Sequence, residues 1–300
     1  MVTKLIAMKT NNVNIPSVNF HLWEPCNFRC KFCFASFQDV KKTILPKGHL
    51  PKEEAMQVVK LLAESGFQKI TFAGGEPTLC PWIGDLILLA KECGMTTNLV
   101  TNGWMLLKKP ELLNDLSRNL RWLTLSIDSL YTETNISSGR ALASKQPITK
   151  EKYKLLIEQA RRLGMRIKIN TVVHQLNCQE PLWEFITEIK PERWKIFQVL
   201  PVAGQNDLHY VDYSISPEKF DAFLSINKKA NEFTTLVPET NQLMRASYVM
   251  VDPAGRFFDN ASGTHTYSEP IIRIGVEDAL KQISFDCKLF TERGGLYEWK

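Results

Sequence analysis

Three cysteines fall within eight residues, Cys26, Cys30 and Cys33, spaced C-x3-C-x2-C with Phe32 just before the last. Thiolates on one loop suit a soft-metal site, and iron–sulfur clusters are held by cysteine thiolates. Three thiolates offered to a cluster of four irons leave one iron open to exogenous ligands, much as catalytic zinc sites keep one position free. The competing reading is a structural zinc site in a non-catalytic module. It wants a fourth ligand nearby, and neither His21 nor Cys80 stands at paired spacing.

A second group follows at Gly74, Gly75, Glu76 and Pro77. Paired glycines let backbone approach a ligand, and a carboxylate beside them can accept hydrogen bonds from an ammonium group. Asn102 and Ser126 occupy comparable places at the ends of the next two apolar alternations. Lys69, Lys168 and Lys195 fall on three different predicted strands. Turned inward together, they would be very costly without a compensating anion, and a triphosphate carries enough charge for all three.

The elements that must position these groups alternate. Apolar faces and stop signals predict helices over Pro51–Glu64, Pro81–Cys93, Pro110–Ser117, Thr149–Leu163 and Pro181–Ile189. Period-two alternation predicts strands at Val18–Trp23, Lys69–Phe72, Thr97–Thr101, Arg121–Asp128, Arg166–Val173 and Arg193–Val199. Six strand–helix units imply an α/β fold with a parallel sheet curling one way, a partial (β/α)6 barrel. One face is repeatedly polar, as at Asn19 and His21, Lys69 and Thr71, Thr124 and Ser126, and Lys168 and Asn170, so a barrel would enclose a polar, wet or ligand-filled lumen; an open sheet with one solvated face is the alternative. The barrel is expected over 18–200. Residues 201–300 read as a C-terminal extension closing the site: turns over Pro201–Asp212, a helix at Pro217–Asn227, a strand at Ser247–Val251 and loop over Asp252–Pro270. Ser36–Leu50, with Lys41 and Lys42, reads as a long loop.

Composition sets the outer bounds. A chain of 300 residues, 44% hydrophobic, 23% charged and with net charge +5, is an ordinary globular protein rather than a disordered one. Its weak, dispersed positive charge does not point to nucleic acid. No apolar run is long enough for a membrane span, and Met1–Phe20 shows neither an apolar leader core nor a small-residue cleavage site. A cytoplasmic, monomeric protein that binds no membrane is expected. Cys80, Cys93, Cys178 and Cys287 stand singly, as small buried hydrophobes do.

The Cys-x3-Cys-x-aromatic-Cys spacing after the first strand resembles the radical S-adenosylmethionine (SAM) superfamily. The resemblance implies one 4Fe-4S cluster on Cys26, Cys30 and Cys33, whose open iron chelates SAM and reduces it to a 5′-deoxyadenosyl radical. By the same likeness Phe32, Gly74, Gly75, Glu76, Asn102 and Ser126 hold SAM. Longer motifs, among them Ser138-Gly-Arg140, Lys168-Ile-Asn170, Arg193-Trp-Lys195, Ser247-Tyr248 and Arg293-Gly-Gly295-Leu-Tyr297, resemble the viperin family over nearly the whole chain. That resemblance places Asn19, Lys69, Arg140, Lys168, Asn170, Lys195 and Tyr248 on a nucleoside triphosphate, with Tyr248 also a proton donor. It implies dehydration of CTP, or of UTP or GTP, to a 3′-deoxy-3′,4′-didehydro chain terminator in antiviral or antiphage defence. An electron donor and iron–sulfur assembly proteins are the implied partners. Compared with the animal family, no N-terminal amphipathic helix is expected ahead of the barrel, the last residues read Glu298-Trp299-Lys300, and the stretch around Ser262–His265 is not basic. A radical SAM enzyme acting on a peptide or another cofactor is the alternative, though such enzymes usually need further cysteines near the C-terminus.

Overall fold

The computed structural model describes residues 16–300. The expectation for Met1–Phe20 lies mostly outside the described residues. Six strands follow the predicted alternation closely: β1 (Ser17–Trp23), β2 (Lys69–Gly74), β3 (Thr96–Thr101), β4 (Trp122–Ser126), β5 (Arg166–Val173) and β6 (Arg193–Gln198). Each pairs in parallel with the next. The helices between them stand within two residues of the sequence reading, at Lys52–Glu64, Ile83–Glu92, Pro110–Ser117, Lys150–Arg162 and Trp183–Ile189. The first buries Ala55, Val58, Val59 and Leu62, the face its spacing predicts. Thr149 caps the fourth through a hydrogen bond from Lys152 N–H at 3.5 Å.

The sheet is larger than six strands. β7 (Thr235–Glu239) adds in parallel beside β6, and β8 (Met250–Val251) in parallel beside β1. β9 (Arg256–Asp259) and β10 (Thr266–Pro270) follow antiparallel, so the order β10-β9-β8-β1-β2-β3-β4-β5-β6-β7 remains open at both ends. The predicted strand at Ser247–Val251 shortens to β8. The predicted loop over Asp252–Pro270 instead holds β9 and β10, whose Phe257 and Phe258 are fully buried despite polar neighbours. Pro201–Asp212 is not all turn, because Asp207–Tyr213 is helical; Ser36–Leu50 carries a helix at Gln38–Thr43. These segments misread because tertiary burial, not local periodicity, sets their state.

Outward side chains of the strands, such as Phe20, Phe72, Leu99, Leu123, Ile169 and Ile196, pack under the helices with no exposed surface. Burying each contributes about 1.5–3 kcal/mol. Trp122 and Trp194 are also fully buried, and each ring N–H finds an oxygen, Trp299 O at 2.8 Å and Thr171 Oγ1 at 2.9 Å. The inward side chains are polar yet nearly as buried, Asn98 at 3% and Lys168 at 4% exposure, which excludes the solvated-face alternative. Cys80 and Cys178 are buried as expected, whereas Cys93 is exposed. Among the described residues no helix is long and apolar enough to cross a membrane.

Candidate active site

A cavity of about 660 Å³ fills the barrel and runs from the cysteine loop to the C-terminal residues 293–297. Every site residue expected from sequence lines it: the three cysteines, Phe32, Gly74, Gly75, Glu76, Asn102, Ser126, Asn19, Lys69, Arg140, Lys168, Asn170, Lys195 and Tyr248. The alternation explains this convergence. Lys69 and Thr71 on β2, Asn98 on β3, Thr124 on β4, Lys168 and Asn170 on β5, and Arg193 and Lys195 on β6 all point one way. Their polar rims join across the strands: Asn98 Nδ2 donates to Thr71 Oγ1 at 3.2 Å and Thr124 Oγ1 to Asn98 Oδ1 at 2.7 Å.

One end of the cavity is strongly cationic. Lys69 and Lys168 both donate to the phenol oxygen of Tyr297, Lys168 at 2.6 Å. The Arg193 guanidinium stacks on the same ring, 4.0 Å from its centroid. Lys195 donates to Tyr248 Oη at 2.6 Å and pairs with Glu239 Oε1, while Tyr248 donates its own proton to Glu239 Oε2. Arg293 lies 3.5 Å over the Tyr248 ring and donates twice to Ser247 O, at 3.0 and 2.8 Å. Among the described residues, Glu239 is the only carboxylate paired with any of these five cations. Burial, reinforced by Lys195, Arg193 and Arg293, pushes Lys69 well below the usual lysine range. Burial and the same kind of crowding do so for Lys168. Burial lowers Lys195 to about 8 against the pull of Glu239. Tyr248 is pushed far up by burial, then by Glu239, and stays a neutral phenol. Five basic groups that share one carboxylate form a site that an incoming polyanion would complete, restoring the charge of the lowered lysines.

The other end is the cysteine loop. Arg29 and Lys31 donate their backbone N–H groups to Gly139 O at 3.1 Å and Ser138 O at 3.0 Å, which docks the loop on the turn after helix Thr132–Ser138. A Cβ on Gly139 would stand 2.0 Å from Arg29 O, so only glycine permits this approach. Burial raises all three thiols, Cys30 to about 12. Arg140 stands here rather than among the lysines: it donates to Asp128 Oδ2 at 2.6 Å, and its guanidinium carbon lies 5.5 Å over the Phe32 ring. Gly74 and Gly75 prove to serve a backbone contact. Gly75 N–H donates to Trp23 O at 2.5 Å, and a Cβ at Gly75 would stand 2.0 Å from Glu24 O. Glu76 is buried and raised by that burial, although it accepts from Thr101 Oγ1 at 2.6 Å, Thr78 Oγ1 at 2.5 Å and Asn102 N–H at 2.8 Å.

Comparison with known proteins fits this geometry. The radical SAM superfamily matches residues 23–189. A nucleotide dehydratase dependent on S-adenosylmethionine from Flammeovirga pacifica is 53% identical over 97% of this chain and 98% of its own length. The chain belongs to the viperin-like nucleotide dehydratases. A relative of the same name from Lacinutrix mariniflava is 52% identical over 97% of this chain, which spans 60% of that protein. The dehydratase RSAD2 of Oncorhynchus mykiss is 36% identical over 94% of this chain and 80% of its own. Among solved folds, Streptococcus suis SuiB bound to S-adenosylmethionine aligns with TM-score 0.65 at 16% identity, covering 93% of this chain and 68% of SuiB. The anSMEcpe structure with bound AdoMet gives 0.66 at 16% identity, covering 92% and 82%. At that identity the likeness concerns the fold, a radical SAM partial barrel.

Radical SAM dehydratases work with a 4Fe-4S cluster and SAM, and the residues present fit both. Cys26, Cys30 and Cys33 are uncrosslinked thiols on one loop, the donor set that a cluster with one open iron takes. Among the described residues no three His, Cys, Asp or Glu side chains form a single-ion site; a cluster spreads its thiolates over different irons and asks for no such convergence. Asn27 Nδ2 beside Cys26 and Asn170 Oδ1 in the cavity wall are buried without a hydrogen-bond partner, as groups built to meet a polar ligand are. Sequence reasoning did not single out Arg193, Arg293, Glu239 or Tyr297 as site residues. Arg193 was within reach, since it shares the inward face of β6 with Lys195. Glu239 stands in the motif Val237-Pro-Glu-Thr-Asn241-Gln, which also resembles the viperin family, but its strand was not predicted and no direction could be given to its side chain.

Proposed function

We propose that this radical SAM dehydratase converts a ribonucleoside triphosphate, CTP before UTP or GTP, to its 3′-deoxy-3′,4′-didehydro analogue. The observation that carries the reading is the group of five basic residues that line the same cavity as the cysteine loop and whose one paired carboxylate, among the described residues, is Glu239. Lys69, Lys168, Lys195, Arg193 and Arg293 bind the phosphates, and Asn19 and Asn170 line the wall along which the nucleoside lies. Anchoring the phosphates at one end carries the sugar toward the cysteines, near Arg140 and Phe32, and fixes which C–H bond faces SAM. The cluster and SAM, when bound on Cys26, Cys30, Cys33, Phe32, Gly74, Gly75, Glu76, Asn102 and Ser126, supply one-electron hydrogen-abstraction chemistry. The chain's part is to position the sugar and exclude water. Tyr248, a neutral phenol held between Lys195 and Glu239, delivers the proton with which the 3′-hydroxyl leaves as water, and a second electron from the external donor completes the didehydro product.

In this reading residues 18–200 form the barrel, and residues 201–300 close it with Tyr248, Arg293 and Tyr297. The product lacks the 3′-hydroxyl that a polymerase extends, which suits an antiphage role in the cytoplasm. The test is anaerobic turnover of the reconstituted enzyme with dithionite, SAM and each ribonucleoside triphosphate in turn. Mass spectrometry is expected to show 5′-deoxyadenosine together with a nucleotide lighter by one water, most with CTP. Release of 5′-deoxyadenosine with every triphosphate left intact would refute the substrate assignment.

A further inference from the structure

Hydrogen abstraction by a radical SAM enzyme consumes one electron, which must enter at the cysteine loop from outside. Two of that loop's side chains, Arg29 and Lys31, are exposed. Beside it stands helix Asp207–Tyr213, tied to the loop at its root. Asn206 Nδ2 donates to Phe32 O at 3.1 Å, and Gln205 Oε1 accepts from Ser36 Oγ and from Phe37 N–H, each at 2.8 Å. The inner side of the helix is committed to the fold, because Tyr213 is buried 6.1 Å from the Phe32 ring and donates to Ser137 O at 2.9 Å.

The outer side is not. Leu208 is 90% exposed and Val211 84%, the two most exposed large hydrophobic side chains among the described residues, one helical turn apart. Large apolar groups held in water on an anchored element mark an interaction surface. The surrounding charge is mainly positive. Arg29 and Lys31 flank Cys30, and helix Gln38–Thr43, joined to the same root by a Gln205 Nε2 to Asp39 Oδ1 bond of 3.0 Å, adds exposed Lys42 and Lys41, the latter paired with Glu24 at 3.2 Å. Opposed to them are Asp212 and Asp207, the latter accepting Gly204 N–H at 3.0 Å. Lys31, Leu208 and Val211 do not line the cavity, so they stay accessible when it is filled.

We propose that Lys31 with Leu208 and Val211 forms the docking surface for an acidic one-electron carrier protein that reduces the cluster. The inference rests on the radical SAM reading of the cysteines and goes beyond it by assigning the entry face. With a flavoprotein carrier, the anionic flavin hydroquinone loses one electron to become the neutral semiquinone, with no proton moved. The cluster gains that electron and its charge falls by one. Basic rim residues steer the carrier, and the apolar pair supplies the contact.

The test pairs binding with turnover, using a flavodoxin as probe and the full chain. Calorimetry is expected to show binding to the holoenzyme that weakens as salt rises. Lys31→Glu should raise Kd about tenfold, and Leu208→Asp with Val211→Asp about tenfold or more. Nucleotide turnover driven by dithionite, which needs no docking, should stay within twofold of the parent in both variants, while turnover driven by reduced flavodoxin falls with the affinity. Absence of flavodoxin binding, or an unchanged Kd in both variants, would overturn the surface. Equal loss of turnover with both reductants would overturn it too, since that reports damage to the loop. Self-association of the chain that is lost in the Leu208→Asp, Val211→Asp variant would give the face to a second copy instead. Failure of dithionite-driven turnover in the parent enzyme would count against the proposed reaction and leave the flavodoxin Kd to decide the docking surface.

Discussion

Lys168→Met separates the binding role of the buried lysines from any role in folding. Lys168 Nζ lies 2.6 Å from Tyr297 Oη, in a side chain 4% exposed, and faces Lys69, Lys195 and Arg193. Methionine keeps most of its length and apolar stem. Removing the charge relieves repulsion within the cationic group, and Tyr297 keeps its second donor, Lys69. The loss of one hydrogen bond, offset by that relief, should leave folding stability within ~1 kcal/mol. The melting temperature then moves by a few degrees at most. Binding should respond far more. Truncating one member of a buried charge-assisted pair costs about 2 kcal/mol or more. At 1.4 kcal/mol per tenfold, that is a loss of roughly 30-fold in triphosphate affinity. Calorimetry with CTP on the cluster-free protein reads the affinity, and a thermal melt of the same sample reads the stability. A melting temperature lowered by some ten degrees with unchanged affinity would refute the reasoning, because Lys168 would then serve the tail contact with Tyr297 rather than a ligand.

Proton linkage gives a second expectation. The folded value for Lys195, about 8, lies below its usual 10.5. The unfolded chain therefore binds more protons between those values, and the ligand-free protein gains stability as pH rises across that window. A polyanion restores the charge, so triphosphate binding should take up protons near pH 8.5 and weaken as pH rises further; calorimetry in buffers of different ionisation enthalpy tests this, and zero uptake refutes it. Tyr248→Phe should bind triphosphate almost as before yet lose dehydrated product tenfold or more, the scale of a lost general acid; full turnover would remove the proton-donor role. Gly75→Ala should destabilise the fold by about 3 kcal/mol or more, since its Cβ meets the Glu24 carbonyl 2.0 Å away. A normal melting curve for that variant would show the β1 and β2 ends to be less tightly apposed than described.

Much of the site was legible in the chain because its carriers are short and periodic. The cysteine spacing gave three thiols on one loop at the cavity, and period two on Lys69–Phe72, Arg166–Val173 and Arg193–Val199 gave the direction of Lys69, Lys168 and Lys195. The strand ends gave Glu76, Asn102 and Ser126. Arg140, expected on the triphosphate, lines the cavity from the cysteine end, over Phe32 and paired with Asp128. Its position depends on how the turn after helix Thr132–Ser138 docks on the cysteine loop, a contact between segments more than a hundred residues apart.

The parallel α/β plan, the polar lumen and the three-cysteine loop are legible in the chain alone, because each follows from local spacing and from the two-residue period of a strand. Long-range packing alone puts β7 beside β6, extends the sheet beyond β1 with β8, β9 and β10, and brings Glu239, with its partner Arg293, and Tyr297 to the strand lysines. Those contacts join residues as far as 228 positions apart, Lys69 to Tyr297. No local pattern encodes such a meeting. It is fixed by the burial of Phe257, Phe258 and Trp299, which draws the C-terminal third onto both ends of the sheet and leaves its polar side chains facing the cavity.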